Sequence, residues 1–149
     1  MAPATARKTT QSAATPRDAS YADLLAAPDH RVAEILGGEL VVSPRPAGPH
    51  IHAQTMLSAD LAGRFYGLNG GSSGPGGWWI LAEPELHGRD DRGRLAIVVP
   101  DVAGWRLERM PARPEGAFIE LTPDWACEVL SPGTARTDRM RKVPLYATW

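Results

Sequence analysis

Hydrophobic residues follow two patterns along this chain, and each pattern predicts a different kind of element. Apolar residues recur every three or four positions from His50 to about Tyr66, which predicts an amphipathic helix. Ser20 is placed to cap a short helix that closes before Pro28, and Thr134 is placed to cap a final one. These three segments are the predicted helices.

Short apolar runs bounded by glycine or proline predict two hairpins and one further buried strand. The first hairpin turns at Gly37-Gly38, and the second turns at residues 90–93. The predicted strands are residues 32–36, 39–43, 78–87, 94–102 and 124–130, with a short one at 118–121. The order helix, hairpin, helix, hairpin, strand, helix predicts an α/β (α+β) fold whose central mixed sheet is flanked by helices.

The composition is that of one globular domain: 149 residues, of which 43% are hydrophobic and 22% charged. A net charge of -1 argues against a strongly basic nucleic-acid coat protein. The single cysteine, Cys127, excludes an intrachain disulfide and a cysteine-based zinc cluster, and it fits a reducing, cytoplasmic setting. No apolar run approaches the ~18 residues of a membrane span.

The ends of the domain follow from composition. Residues 1–20 are rich in Ala, Thr, Ser and Pro and are predicted to form a disordered tail, so the domain covers residues 21–149. A sheet protein of this kind is expected to continue into one more strand after its last helix, so we expect a C-terminal truncation. The glycine-rich stretch 67–77 has no lysine, which makes it a flexible connection and not a phosphate-binding loop.

The main chemical signal is a pair of carboxylates at the ends of apolar runs. Asp101 follows Val98-Val99-Pro100, and Glu128 lies within the run 126–130. A carboxylate on a mostly apolar strand is costly unless a cation or hydrogen bonds compensate for the lost water. If the two strands are neighbours, Asp101 and Glu128 converge and provide the oxygen ligands that Mg²⁺ prefers. A bound Mg²⁺ supports phosphodiester hydrolysis.

A lysine and a third carboxylate are placed to complete such a site. Lys142 is predicted on the first helix after the Glu128 strand, where its charge can orient the nucleophile or offset transition-state charge. Arg136, Arg139 and Arg141 surround it and are candidates for binding a phosphate backbone. Glu34, inside another apolar strand, is the candidate third carboxylate.

An ordered set of motifs resembles a known family. The set comprises Val99-Pro100-Asp101, Cys127-Glu128-Val129-Leu130-Ser131-Pro132, and the spacing Asp138-x-x-x-Lys142-x-x-x-Tyr146. It is similar to the bacterial Uma-type "putative restriction endonucleases" of the PD-(D/E)XK nuclease superfamily. Residues 34–40 resemble the Glu-Leu-Ile-Asp-Gly-Glu-Leu segment of that family, and the resemblance extends over residues 21–149.

The resemblance implies a restriction-endonuclease-like core that hydrolyses DNA phosphodiester bonds with Mg²⁺ or Mn²⁺. Asp101 and Glu128 would be the metal ligands, with Lys142 and Glu34 as further catalytic residues. The usual lysine of the superfamily, two residues beyond the second acid, falls here on Leu130. A homodimer is expected if both DNA strands are cut.

Plainer interpretations exist for each residue. Asp101 is then a turn-capping carboxylate, Glu128 an ion-pair partner of an arginine, Lys142 a solvated helix residue and Glu34 an edge-strand carboxylate. His50 and His52, two apart on a helix, are interpreted as structural or solvent-facing, and the alternative for His50 is that it reaches the cleft. The alternative function is a non-catalytic nucleic-acid-binding or protein-interaction module on the same fold.

Overall fold

The computed structural model describes residues 17–68 and 74–149. The helices are α1 (Tyr21–Leu25), α2 (Gly48–Phe65), α3 (Ala135–Thr137) and α4 (Val143–Tyr146), with a π-helical turn, Asp138–Lys142, between the last two. The strands are β1 (Arg31–Leu36), β2 (Glu39–Pro44), β3 (Trp78–Ala82), β4 (Leu86–Arg89), β5 (Leu95–Val98), β6 (Val102–Arg106) and β7 (Trp125–Cys127). The predicted α+β class is confirmed.

The elements before residue 66 form where the sequence predicts them. Ser20 and Asp23 cap α1 reciprocally, each side chain accepting a hydrogen bond from the backbone N–H of the other. Gly37 and Gly38 have φ angles of 61° and 77°, as a two-residue hairpin turn between β1 and β2 requires. Pro49 lies in the first turn of α2.

The predicted tail lies mostly outside the described residues. Of residues 1–20, the structure describes 17–20, and these contact the folded part of the chain. Arg17 forms an ion pair with Asp23, and the Ala19 N–H donates to the Gly38 carbonyl over 2.7 Å. Within the glycine-rich stretch 67–77, residues 69–73 are outside the described part.

The sheet differs from the prediction of one central mixed sheet. The strands form two sheets, one ordered β2-β1-β5-β4 and the other β3-β6-β7, and every strand pair is antiparallel. The only parallel pairing among the described residues is in isolated bridges, including one between Leu86 and Ile119 in the predicted short strand. The buried core between the elements contains Ile35, Leu86, Ile97, Val98, Val102 and Trp105.

Two prolines explain why the second hairpin divides into two sheets. The sequence predicts two continuous strands, 78–87 and 94–102. In the structure the first is divided into β3 and β4, and the second into β5 and β6. Ala82 pairs with Val102 and Leu86 pairs with Val98, so residues 83–85 lie opposite residues 99–101, with Pro84 and Pro100 at the centre. Because proline has no backbone N–H, the ladder breaks at this level.

The last predicted strand is shorter and less buried than expected. It covers Trp125–Cys127 instead of residues 124–130, and Trp125 is 38% exposed. Glu128 therefore lies immediately after the strand. The Glu128 carboxylate is therefore at the end of a strand and not in its interior, where the sequence predicts it.

The C-terminal helix, residues 135–146, contains a π-helical turn. The Val143 N–H donates to the Asp138 carbonyl five residues earlier. The ring of Pro144 would clash with the carbonyl of Met140 in a regular α-helix, and the wider turn relieves this conflict. Within residues 17–68 and 74–149, no helix is long and apolar enough to cross a bilayer.

Candidate active site

The break in the second hairpin opens onto a cleft of about 700 Å³. Carboxylates outnumber cationic side chains along its walls. The acidic residues are Asp29, Glu34, Glu83, Glu85, Asp101, Glu128 and Asp138, and the basic ones are Arg31, Arg45 and Lys142. The cleft therefore has an excess of negative charge and requires cations if it is to bind a polyanion.

Asp101 lies at the hairpin break and is held by the neighbouring strand. Its Oδ2 accepts a hydrogen bond of 2.6 Å from the Val129 N–H, and its Oδ1 lies 3.0 Å from His50 Nε2. Its backbone carbonyl accepts a bond of 3.1 Å from the side chain of Gln54. Burial raises the pKa of Asp101 above its ordinary value, although the Val129 N–H stabilises the charged form.

Glu128 lies beside Asp101, directly after the neighbouring strand β7. β6 and β7 pair Val102 with Cys127, and one further step of this antiparallel register brings Asp101 opposite Glu128. Directly opposed residues have Cβ atoms about 4.5–5.5 Å apart. The two predicted metal ligands are therefore neighbours, as the sequence analysis anticipates for adjacent strands.

The buried ammonium group of Lys142 forms ion pairs with two carboxylates. Its Nζ lies 2.7 Å from Glu128 Oε1 and 2.9 Å from Glu34 Oε1, and it donates to the Val99 carbonyl over 3.2 Å. Only 4% of the Lys142 side chain is exposed. These three contacts use all three ammonium donors. Lys142 is thus a buried cation and not a solvated helix residue.

Glu34 and Lys142 also satisfy backbone groups that the hairpin break leaves unpaired. Glu34 Oε1 accepts a hydrogen bond of 2.8 Å from the Val99 N–H, and Lys142 binds the carbonyl of the same residue. Buried backbone groups without partners are costly. Glu34 and Lys142 therefore stabilise the irregular backbone at the hairpin break. Glu34 is a buried carboxylate with two partners, the Val99 N–H and the Lys142 ammonium group, and not a solvent-exposed residue at a sheet edge.

Tyr146 contacts the same carboxylate from the last turn of the C-terminal helix. Its hydroxyl donates to Glu128 Oε1 over 2.5 Å. Burial and the nearby Glu128 carboxylate raise the pKa of Tyr146 well above its ordinary value, so the phenol remains a donor. Both bonds to Glu128 fall on Oε1, and no hydrogen bond to its Oε2 is made by residues 17–68 or 74–149.

Two residues of this region were not predicted as site residues. His50 and Gln54, one turn apart on α2, both face the hairpin break, where Gln54 also donates to Glu83 over 3.1 Å. A sequence signal exists, since polar residues at positions i and i+4 share one face of a helix. His52, two residues after His50, is exposed and does not share this face.

The remaining charged residues of the C-terminal helix differ in their surroundings. Arg141 donates to the Leu36 carbonyl and to Glu39, and so holds the C-terminal helix against the first hairpin. Arg136 and Arg139 are exposed. Asp138 is buried and lines the cleft, but it makes no ion pair with Lys142, which binds Glu34 and Glu128 instead.

Burial and an uneven balance of charge shift the pKa values of the ionisable groups in the site. One ammonium group faces two carboxylates, and burial raises the pKa of Glu128 to about 7. Burial alone would lower the pKa of Lys142, but the carboxylates of Glu34 and Glu128 outweigh this effect and raise it. Lys142 therefore remains charged at neutral pH.

The raised pKa of Glu128 predicts how stability depends on pH in the metal-free protein. The native pKa of about 7 exceeds the ordinary value of 4.5, so the native state binds more protons than the unfolded state between these values. The free energy of unfolding therefore falls as pH rises through this range, by up to about 3 kcal/mol for this group. Urea unfolding in EDTA should show a smaller decrease for Glu128→Gln than for the wild type. Equal slopes would contradict the assignment.

Comparison with known proteins identifies the family of this chain. The Uma2 family model, described as "Putative restriction endonuclease", matches residues 18–148. A crystal structure described as that of a "putative nuclease belonging to DUF820" from Anabaena variabilis ATCC 29413 is similar, with a TM-score of 0.58 and 20% sequence identity. The match covers 78% of this chain and 60% of that one, so this chain spans less than two thirds of its length.

At that identity the structural similarity shows the fold alone. No curated protein matches the chain. The family model, however, extends over nearly the whole sequence, including all the residues of the cleft described above. The chain belongs to the Uma2 family of putative restriction endonucleases.

Proposed function

We propose that this protein is a metal-dependent endonuclease that hydrolyses DNA phosphodiester bonds in the cleft. The observation that carries the proposal is the opposition of Asp101 and Glu128 at one wall of an acidic cleft. A polyanionic substrate would be repelled by this cleft unless divalent cations reversed its charge. Membership of the Uma2 family supports the same reaction class.

The residues present fit a divalent cation. Asp101 Oδ1 and Glu128 Oε2 are the oxygens that the hydrogen bonds of the site leave for a ligand, and His50 Nε2 is a buried nitrogen without a hydrogen-bond partner. No three His, Cys, Asp or Glu side chains in residues 17–68 and 74–149 form a preformed metal cluster, so metal binding would require small movements of the side chains that line the cleft. Asp101 and Glu128 would hold Mg²⁺ or Mn²⁺, with waters and substrate phosphate completing its coordination.

When bound, such a cation would activate a water for attack and would offset the negative charge of the phosphodiester. Hydrolysis forms a bond between a water oxygen and phosphorus, breaks one ester P–O bond, and leaves a proton from the water on the departing oxygen. Lys142 and Tyr146 fix the position of Glu128, and Glu34 fixes Lys142. Lys142 also supplies a permanent positive charge beside the carboxylates, which limits their repulsion of the substrate.

Removal of divalent metal tests this function. We expect the protein to nick or linearise supercoiled plasmid DNA in the presence of Mg²⁺ or Mn²⁺, to lose this activity in EDTA, and to recover it when excess metal is added. Cleavage that persists undiminished in EDTA would refute the metal requirement. Absence of cleavage with every divalent cation would refute the nuclease proposal.

One observation favours a second candidate function. All three donors of Lys142 are engaged, and Leu130, which stands where the superfamily has its usual lysine, is 43% exposed and carries no charge. A non-catalytic nucleic-acid-binding module would tolerate both features. Calorimetry separates the candidates, because a module of this kind would show no heat with Mg²⁺ or Mn²⁺ and would bind DNA equally well in EDTA.

A further inference from the structure

His50 places a ring nitrogen beside the predicted metal ligands. Its Nε2 is buried, lies 3.0 Å from Asp101 Oδ1, and has no hydrogen-bond partner. The side chain is 10% exposed and lines the cleft. His50 belongs to α2, while Asp101 lies at the hairpin break, so tertiary packing brings the two groups together.

The arrangement of these two atoms is not explained by a hydrogen bond. In a neutral imidazole with a lone pair on Nε2, neither this nitrogen nor the ionised Oδ1 carries a proton, so no hydrogen bond can join them. A protonated ring would donate, but the two groups are not aligned for hydrogen bonding despite their separation of 3.0 Å. A cation beside both atoms could accept the Nε2 lone pair and a lone pair of Oδ1 together.

The separation of the two atoms is that of ligands on one ion. Adjacent ligands of an octahedral cation, each about 2.1 Å from it, lie about 3.0 Å from each other. His50 Nε2 and Asp101 Oδ1 have this spacing. The other oxygen of Asp101 is held by the Val129 N–H, so the carboxylate is already oriented with Oδ1 toward His50.

The backbone of both residues is also fixed. Gln54, one turn after His50 on α2, donates to the Asp101 carbonyl and to the Glu83 carboxylate. These bonds tie α2 to the hairpin break, where Glu83 has the unusual φ angle of 49° for a residue other than glycine. The relative position of the imidazole and the carboxylate is therefore set by packing.

We propose that His50 is a metal ligand that shares a divalent cation with Asp101, and that the site consequently prefers first-row transition cations to Mg²⁺. The inference rests on the proposed metal-dependent function and extends it by a residue and by a class of metal. Imidazole nitrogen binds transition cations well, whereas Mg²⁺ selects oxygen ligands. A site with nitrogen and oxygen ligands therefore binds Mn²⁺ more tightly than a site with oxygen alone, while Mg²⁺ gains little.

Mn²⁺ binding to matched variants tests the proposal. His50→Gln keeps a polar side chain but removes the imidazole, and His52→Gln makes the same change two residues away on the exposed side of α2. Titration calorimetry on the full chain should show that His50→Gln raises the Kd for Mn²⁺ at least about 10-fold. The Kd for Mg²⁺ should change much less, and His52→Gln should match the wild type for both ions.

A spectroscopic readout separates ligation from a structural role. The electron spin echo of bound Mn²⁺ is modulated by a directly coordinated nitrogen, and this modulation should be present in the wild type and in His52→Gln but absent from His50→Gln. Mn²⁺ binding without nitrogen modulation in the wild type would overturn the proposal for His50 and leave the carboxylate site intact. Absence of Mn²⁺ and Mg²⁺ binding altogether would overturn both. Thermal unfolding of each variant verifies that it is folded.

Discussion

Replacing Asp101 by asparagine is expected to lower the rate of metal-dependent DNA cleavage at least about 100-fold. Asparagine preserves the size of the side chain and can still accept the hydrogen bond from the Val129 N–H. It loses the negative charge that a divalent cation requires from a hard oxygen ligand. Loss of a group that only orients a metal ligand already costs 10- to 100-fold in many sites, so loss of a ligand should cost at least as much. The measurement is the initial rate of plasmid cleavage at saturating Mg²⁺ or Mn²⁺.

Two further variants make this experiment specific. Glu128→Gln should show a loss of the same order, because it removes the opposing carboxylate. Asp91→Asn, on an exposed turn residue away from the cleft, should cleave at the wild-type rate. If cleavage persists in both Asp101→Asn and Glu128→Gln, the two acids are not the metal ligands and the proposed mechanism is refuted.

The second large effect concerns stability and follows from the burial of Lys142. Lys142→Met retains the length of the side chain but removes the cation that binds Glu34 and Glu128. Two buried carboxylates and the Val99 carbonyl then lose their partner. Breaking a buried ion pair by removing one member typically costs 3–5 kcal/mol, and we expect a decrease of about this size in the free energy of unfolding. Urea denaturation followed by circular dichroism measures it.

Arg139→Met is the matched control for this substitution. Arg139 is exposed on the same π-helical turn, so loss of its charge should change the free energy of unfolding by no more than about 0.5 kcal/mol. Equal stability of Lys142→Met and Arg139→Met would show that the ammonium group does not stabilise the buried carboxylates.

Local sequence signals predicted much of the architecture. The Ser20 cap, the Gly37-Gly38 turn and the helical spacing after Pro49 each depend on residues close together in sequence, and each is confirmed. The pairing of Asp101 with Glu128 was also accessible, because side-chain alternation and strand adjacency suffice to place them together.

The division of the second hairpin could not be predicted in the same way. Pro84 and Pro100 are each compatible with the end of a strand, and only the register of the hairpin shows that they face each other and interrupt the ladder together. The roles of Glu34 and Lys142 at the Val99 backbone depend on this interruption. His50 was interpreted mainly as structural or solvent-facing because its partner, Asp101, is distant in sequence.

The most direct test of the metal site is the anomalous scattering of Mn²⁺ in crystals of this protein. We expect an anomalous peak in the cleft at bonding distance from the carboxylates of both Asp101 and Glu128. A peak bound elsewhere, or no peak while both carboxylates remain in place, would contradict it.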